Sequence, residues 1–501
     1  MSLTPSGEQA LILMARKIAP EMPLKVRAAA GAGKTSMLQM IAEAEEGPLL
    51  YLSYSAKLVE AAASSFPKNV DCLTVHSLAY RVMKMKEVHN RLNRPFTPDV
   101  VANLLSIERR DVTARQMGGW IQETVRKFCQ GGEGCIEQSH LPTGLEETFA
   151  EDVLSGAQEL WDMLVGKWDS NLPLEHDMYL KLWHLRGARL TRRYRGILMD
   201  ECHDSNPVTL DAMMFQSIPI TWVGDEPQSI FLFRRAINAL RIIRAPEYFL
   251  TQSYRFGPPV AEIANKVVAH SPNPPPRPVV GYAAIESVIN PSEPKHPISV
   301  VCRSNAGLIM EALASTGSLH VVGGVEQLVS LARGVEMLSN GHPAVNVPAL
   351  SRFRTYDDMM EAIEDAKDPE LRILSKLIDR YGDQLGEAVS SLEKRLVNSI
   401  EAAETSVMSA HRSKGLTVPG ARLSDDFTGL SDLHDRVRSG RMTLEQYEQE
   451  INLMYVAVTR PRYELTLNDA ATEMVATKPL PVSAYKPADS GSAAEDKGGP
   501  T

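Results

Sequence analysis

The sequence predicts an α/β protein whose parallel sheets are covered by helices, divided into more than one domain. Three observations carry this. Short apolar runs alternate with helical stretches over residues 24–82 and again over 196–250. A small-residue loop ending in Lys34-Thr35 follows the first run and opens a helix. With 501 residues, the chain is too long for one hydrophobic core.

The elements follow in order. "PLLYLSYS" (48–55), "RGILMDE" (195–201) and "PITWVGDE" (219–226) are apolar runs bounded by turn residues. Such unbroken apolar runs suit strands buried on both faces of a parallel sheet. Residues 83–190 are mostly helical, with a Gly-rich break at 131–134. "SPNPPPRP" (271–278) can form neither helix nor central strand and is an exposed connection. "HPISVVCRSN" (296–305) resumes a strand pattern, so a second α/β unit runs from about 251, and 326–400 is helical. The segment from 471 is rich in Ala, Ser, Gly and Pro and is expected to be disordered.

Apolar content of 44% and charged content of 23% are those of a globular protein. No stretch approaches the run of about 20 apolar residues that spans a bilayer. "MSLTPSGEQA" has no signal-peptide pattern. The five scattered cysteines fit reduced thiols better than disulfides or a zinc site. These features give the expectation of a cytoplasmic or nucleoid-associated protein with no membrane role. The net charge of −9 argues against a wholly basic surface but allows a local basic groove. Basic clusters stand at Arg186, Arg189, Arg192, Arg193 and Arg195, and at Arg234, Arg235, Arg241 and Arg244. Each is either part of such a groove or a solvated face.

"AAAGAGKT" (28–35) follows the phosphate-loop pattern, with Ala28 in place of its first Gly. Small residues at Ala30, Gly31, Ala32 and Gly33 let backbone N–H groups close around phosphate oxygens. Lys34 would contact the β- and γ-phosphates of ATP, and Thr35 would ligate Mg²⁺. Ser36 continues into a helix that presents Met37, Leu38 and Ile41 on one face and aims its positive end at the phosphates. At the tip of "GILMDE" stand Asp200 and Glu201. A strand-end acid pair can simply mark where a strand meets solvent. Beside a phosphate loop, it suits Asp200 holding Mg²⁺ and Glu201 orienting the attacking water.

Further segments carry a resemblance. "VGDEPQSIFLFRRA" (223–236), "LTQSYRF" (250–256), "AHRSKGL" (410–416) and "EINLMYVAVTRPR" (450–462) resemble, in order, the later motifs of superfamily 1 DNA helicases of the UvrD/Rep type. "LTPSGEQ" (3–9) looks like the family's adenine-reading motif, and "TVHSLAY" (74–80) like the segment after its first strand pair. "FPKNVDCLTVHSLAY", "VRKFC" and "LPLEHDMYLKLW" bring the chain closest to the F-box DNA helicase branch, although no F-box segment is seen.

The resemblance implies two RecA-like P-loop NTPase motor domains with ATP between them. The expected first motor domain is 1–82 with 171–250, interrupted by a helical insertion at 83–170. The second is 251–325 with 404–470, interrupted by a reduced accessory subdomain at 326–403, and 471–501 is the tail. By resemblance, Gln9 reads the adenine and Tyr254 stacks on it. Gln228 senses the γ-phosphate, and Arg255 and Arg460 act as arginine fingers beside Lys34 and Glu201. Tyr54, Thr74, His76, Phe231, Phe233, Arg234 and His411 are the candidate DNA contacts. Aromatic rings suit that task because every base has a π-face. Phe231 and Phe233 could instead form a strand-edge core pair, and His76 and His411 could brace loops. "EHDMY" (175–179) has no assigned task. The sequence departs from the family at Thr417, where Glu is usual, and at Cys202-His203, where Ala-Gln is usual.

The expected activity is an ATP-dependent single-stranded DNA translocase and 3′–5′ helicase, a monomeric motor on single strands and 3′-tailed duplexes. Protein partners could engage the C-terminal tail. Two rivals are a translocase that strips bound proteins with little unwinding and a nucleotide-dependent scaffold or switch.

Overall fold

A computed structural model describes residues 4–481, except 167–171, 191–192, 233–234, 348 and 367–368. The chain divides into two compact units: Met1–Ala28 with Gly33–Leu250, and Ala29–Ala32 with Thr251–Thr501.

The first unit is built on six strands: β1 (Leu24–Ala28), β2 (Leu49–Ser53), β3 (Val70–Thr74), β4 (Gly196–Met199), β5 (Ile220–Gly224) and β6 (Glu247–Leu250). Their order is β3-β2-β4-β5-β1-β6, and every pairing is parallel. The three apolar runs of the sequence became β2, β4 and β5, whose residues are all buried. Helices cover both faces of such a sheet, so its central strands need no polar side. One apolar core joins Leu50 and Ile197 of the sheet to Phe128, Trp161 and Trp183 of the helices Ala114–Gln130, Glu147–Gly166 and His176–Leu185.

The second unit contains β7 (Val288–Ile289), β8 (Ile298–Cys302), β9 (Leu319–Val321), β10 (Thr405–Ser409), β11 (Val418–Leu423) and β12 (Pro461–Thr466). The order is β7-β12-β11-β8-β10-β9, again all parallel. The helices Glu326–Ser339, Pro369–Tyr381 and Leu385–Lys394 share one core with Val300 of β8 and Val407 of β10.

One expectation is corrected. The segment from 471 begins inside a helix, Asp469–Ala476, with Ala471 and Met474 buried. Asn468 caps it by accepting the Ala471 N–H at 2.9 Å, and the Met474 carbonyl bonds the His270 ring at 2.8 Å. Averaging over a long polar segment hides one short apolar face. Residues 482–501 lie outside the described residues. Of the cysteines, Cys129, Cys202 and Cys302 are buried, Cys72 is half-buried and Cys135 is exposed. No described helix is long and apolar enough to cross a membrane.

Candidate active site

Ligands of open parallel sheets bind beyond the carboxyl ends of the strands. In the first unit that edge carries Tyr54 after β2, the acid pair after β4 and Asp225–Gln228 after β5, with the helix bearing His76 after β3. Gly33, in the left-handed region at φ +77°, turns the loop after β1 into the helix Lys34–Ala44.

Lys34 Nζ lies 3.3 Å from Glu201 Oε1. Thr35 Oγ1 donates to Asp200 Oδ2 at 3.3 Å, and the buried Tyr51 hydroxyl donates to the same oxygen at 2.9 Å. Asp200 Oδ1 accepts the Glu201 N–H at 2.9 Å. Burial pushes the Asp200 carboxyl up to about 6; the Glu201 charge adds to the shift and Lys34 opposes it. Burial also raises the Tyr51 phenol, so it remains a donor. Glu201 holds a positive φ of 53°, a costly conformation for a residue with a Cβ. Among the described residues no group of three His, Cys, Asp or Glu side chains could hold a metal ion alone. Thr35 and Asp200 instead offer two hard oxygens. That fits Mg²⁺, which keeps waters and takes phosphate oxygens as its other ligands.

Gln9 is buried, and its carbonyl oxygen accepts the Ser6 N–H at 2.9 Å in a capping box that starts the helix Gly7–Ile18. A Cβ on Gly33 would lie 3.5 Å from Gln9 Nε2, so this amide borders the loop. Ser36 is half-buried in the first turn after it. Gln228 is buried and donates to Asp225 Oδ2. Glu226 beside it is an anchor the sequence did not reveal: it pairs with Arg27 of β1 and with Arg241 at 2.8 Å.

The second unit includes the loop tip. Gly31 O accepts the Tyr254 N–H at 2.9 Å, and Ala30 N lies 3.5 Å from the Tyr455 hydroxyl. Gly31 has φ +71°, and a Cβ there would meet Arg255 Cβ at 2.6 Å, so only glycine fits. Ala30 and Ala32 are buried. Tyr254 is exposed, with its ring 5.5 Å from that of Tyr282. Arg255 Nε donates to Thr417 Oγ1 at 2.9 Å and Nη1 to Thr459 O at 3.1 Å. The residue that departs from the family pattern thus holds an arginine. Arg460 is fully buried and donates to the carbonyls of Val456, Ser413 and Leu416 at 2.7, 3.2 and 3.3 Å.

A groove of the first unit brings together three of the candidate DNA contacts, Tyr54, Thr74 and His76, with Tyr80, Arg81 and Lys84. Each of the three also has a local task. The Tyr54 hydroxyl donates to Asn206 Oδ1 at 2.9 Å. Thr74 caps the helix Val75–Val82. His76 Nε2 bonds Asp177 at 2.8 Å, which gives "EHDMY" a place: it starts the helix His176–Leu185 and braces the groove wall. Phe231 and His411 are half-buried and lie outside this groove lining. Phe233 and Arg234 lie outside the described residues.

Residues 13–243 match the UvrD/REP helicase N-terminal domain. The chain is 26% identical over 498 residues to "F-box DNA helicase 1" of Gallus gallus, covering 93% of this chain and 49% of the relative. It is 28% identical over 514 residues to "F-box DNA helicase protein 1" of Schizosaccharomyces pombe, covering 94% and 58%. The chain therefore spans about half the length of the curated relatives it matches. A phosphate loop and acid pair at the strand ends of one all-parallel sheet, a second all-parallel sheet and these matches agree: residues 13–243 match a UvrD/REP helicase N-terminal domain, and the chain as a whole is similar to DNA helicases of that type.

Proposed function

We propose that the chain is an ATP-driven DNA helicase that translocates along single strands 3′ to 5′. The observation that carries this is the meeting of Lys34 with Glu201 and of Thr35 with Asp200 at one edge of the first sheet. Lys34 and the loop N–H groups hold the phosphates. Glu201 accepts the proton of a water whose oxygen attacks the γ-phosphorus. As that bond forms, the bond to the bridging oxygen breaks and its electron pair leaves with ADP. Mg²⁺, held by Thr35 and Asp200, would neutralise phosphate charge. Gln228 senses the γ-phosphate, Gln9 and Tyr254 bind the base, and Arg255 and Arg460 supply positive charge in the transition state. For Arg460 this requires exchanging its carbonyl bonds. It is part of the proposal that both units attend one nucleotide, so that hydrolysis changes which unit grips the strand. The groove of Tyr54, Thr74 and His76 is the proposed DNA contact of the first unit, with Phe231, Phe233, Arg234 and His411 as further contacts.

A second reading, protein removal with little unwinding, is favoured by one feature. Among the described residues, the helices Glu326–Ser339, Pro369–Tyr381 and Leu385–Lys394 share one core with the second sheet. Comparing ATP turnover with and without single-stranded DNA, beside unwinding of 3′- and 5′-tailed duplexes, tests both. Stimulated turnover and unwinding only from the 3′ tail are expected, and Lys34→Ala should abolish hydrolysis. Turnover indifferent to DNA and to Lys34→Ala would refute the proposal.

A further inference from the structure

His203 stands where the family usually has Gln, and the mechanism above does not use it. Its side chain is 0% exposed. Nδ1 accepts the Asp225 N–H at 3.0 Å, just beyond β5. A Cβ on Gly224 would lie 2.9 Å from that same nitrogen, so the strand end is shaped around the ring. A backbone N–H can only donate, so Nδ1 is the bare nitrogen and a neutral ring carries its proton on Nε2. Nε2 lies 3.4 Å from Glu201 Oε2 and 3.7 Å from Asp204 Oδ1. The other oxygen of Glu201, Oε1, faces Lys34. The carboxylate therefore sits between the phosphate-loop lysine on one side and the imidazole on the other.

We infer that His203 is a positioning residue that ties the orientation of Glu201 to the turn after β5. That turn carries Gln228, which donates to Asp225, the residue whose N–H fixes the ring. A hydrogen bond to a carboxylate is best near 2.8 Å, so a shift of about half an ångström in the turn completes or weakens the grip on the base. The inference rests on the proposed role of Glu201 as the water-orienting base. His203 acts through the glutamate.

The test is steady-state ATP turnover of the full chain with saturating single-stranded DNA. His203→Ala should lower kcat roughly tenfold or more, with KM for ATP within about twofold, as for other groups that orient a reacting side chain. His203→Gln should recover most of kcat, because its carbonyl can accept the Asp225 N–H while its amide donates to Glu201. In a Glu201→Gln background, His203→Ala should cost little more, because the two act as a unit. An unchanged kcat in His203→Ala overturns the inference while leaving the ATPase reading intact. So does equal loss in the Ala and Gln variants, or full additivity with Glu201→Gln. If wild-type protein turns over no ATP, both fall together.

Discussion

Asp200 shows what a buried carboxyl costs the fold. Its carboxyl is almost wholly buried, and burial with the neighbouring Glu201 lifts its pKa to about 6. An unfolded aspartate titrates near 4. Between these values the native chain binds the proton and the unfolded chain does not, so stability falls as pH rises through that window. Asp200→Asn should therefore abolish ATP turnover yet raise the melting temperature at pH 8, by an amount equivalent to on the order of 1–3 kcal/mol. The gain should fade as pH drops through 6 and vanish below about 4. Melting curves at pH 8, 6 and 4 check this; a gain that is equal at all three would exclude a strained, ionised Asp200. That Lys34, Thr35, Asp200 and Glu201 come together was legible in the sequence, because a phosphate-loop pattern and an acid pair at a strand tip both belong at the carboxyl edge of a parallel sheet. His203 was visible only as a departure. Nothing in the one-dimensional pattern shows that its ring meets Asp225 and Glu201.

At the scale of elements, the two arginines expected to reach a nucleotide behave differently. Arg460 joins the end of the helix Leu444–Val458 to the turn after the helix Ala410–Ser413. Arg255 is half-buried, held at Thr417 and Thr459. Arg460→Ala removes three hydrogen bonds to carbonyls and empties a fully buried site, and should destabilise by roughly 2–4 kcal/mol, visible as a lower melting temperature. Arg255→Ala should melt near wild type and lose turnover by about two orders of magnitude or more. Equal thermal shifts in the two variants would contradict this division. The sequence located both residues by motif, yet motif spacing says nothing about burial. The strands β2, β4, β5 and β8 were read from their apolar runs, whereas β3 and β6 carry polar residues and gave no such run. The helix Asp469–Ala476 was missed because its buried face is only Ala470, Ala471 and Met474, two of them small, beside a polar segment.

Over the whole molecule, a net charge of −9 coexists with a groove bearing Arg81 and Lys84. Binding to a phosphodiester strand should then depend on local charge alone. Single-strand affinity should fall steeply with salt, and Arg81→Glu with Lys84→Glu should weaken it and flatten the log–log salt slope by about one to two. Fluorescence anisotropy across a salt series measures both, and an unaltered slope would place the strand elsewhere.

The unequal accessibility of the thiols offers a practical consequence. Cys129, Cys202 and Cys302 are shut away, and burial lifts Cys72 to about 11, leaving it protonated at neutral pH. A maleimide fluorophore offered to the native protein should therefore attach almost solely at Cys135. A dye there would stand next to the glycine-rich bend whose carbonyls, from Gly131 and Glu133, clasp the buried ammonium of Lys181. The unmutated chain thus carries its own attachment point for single-molecule fluorescence.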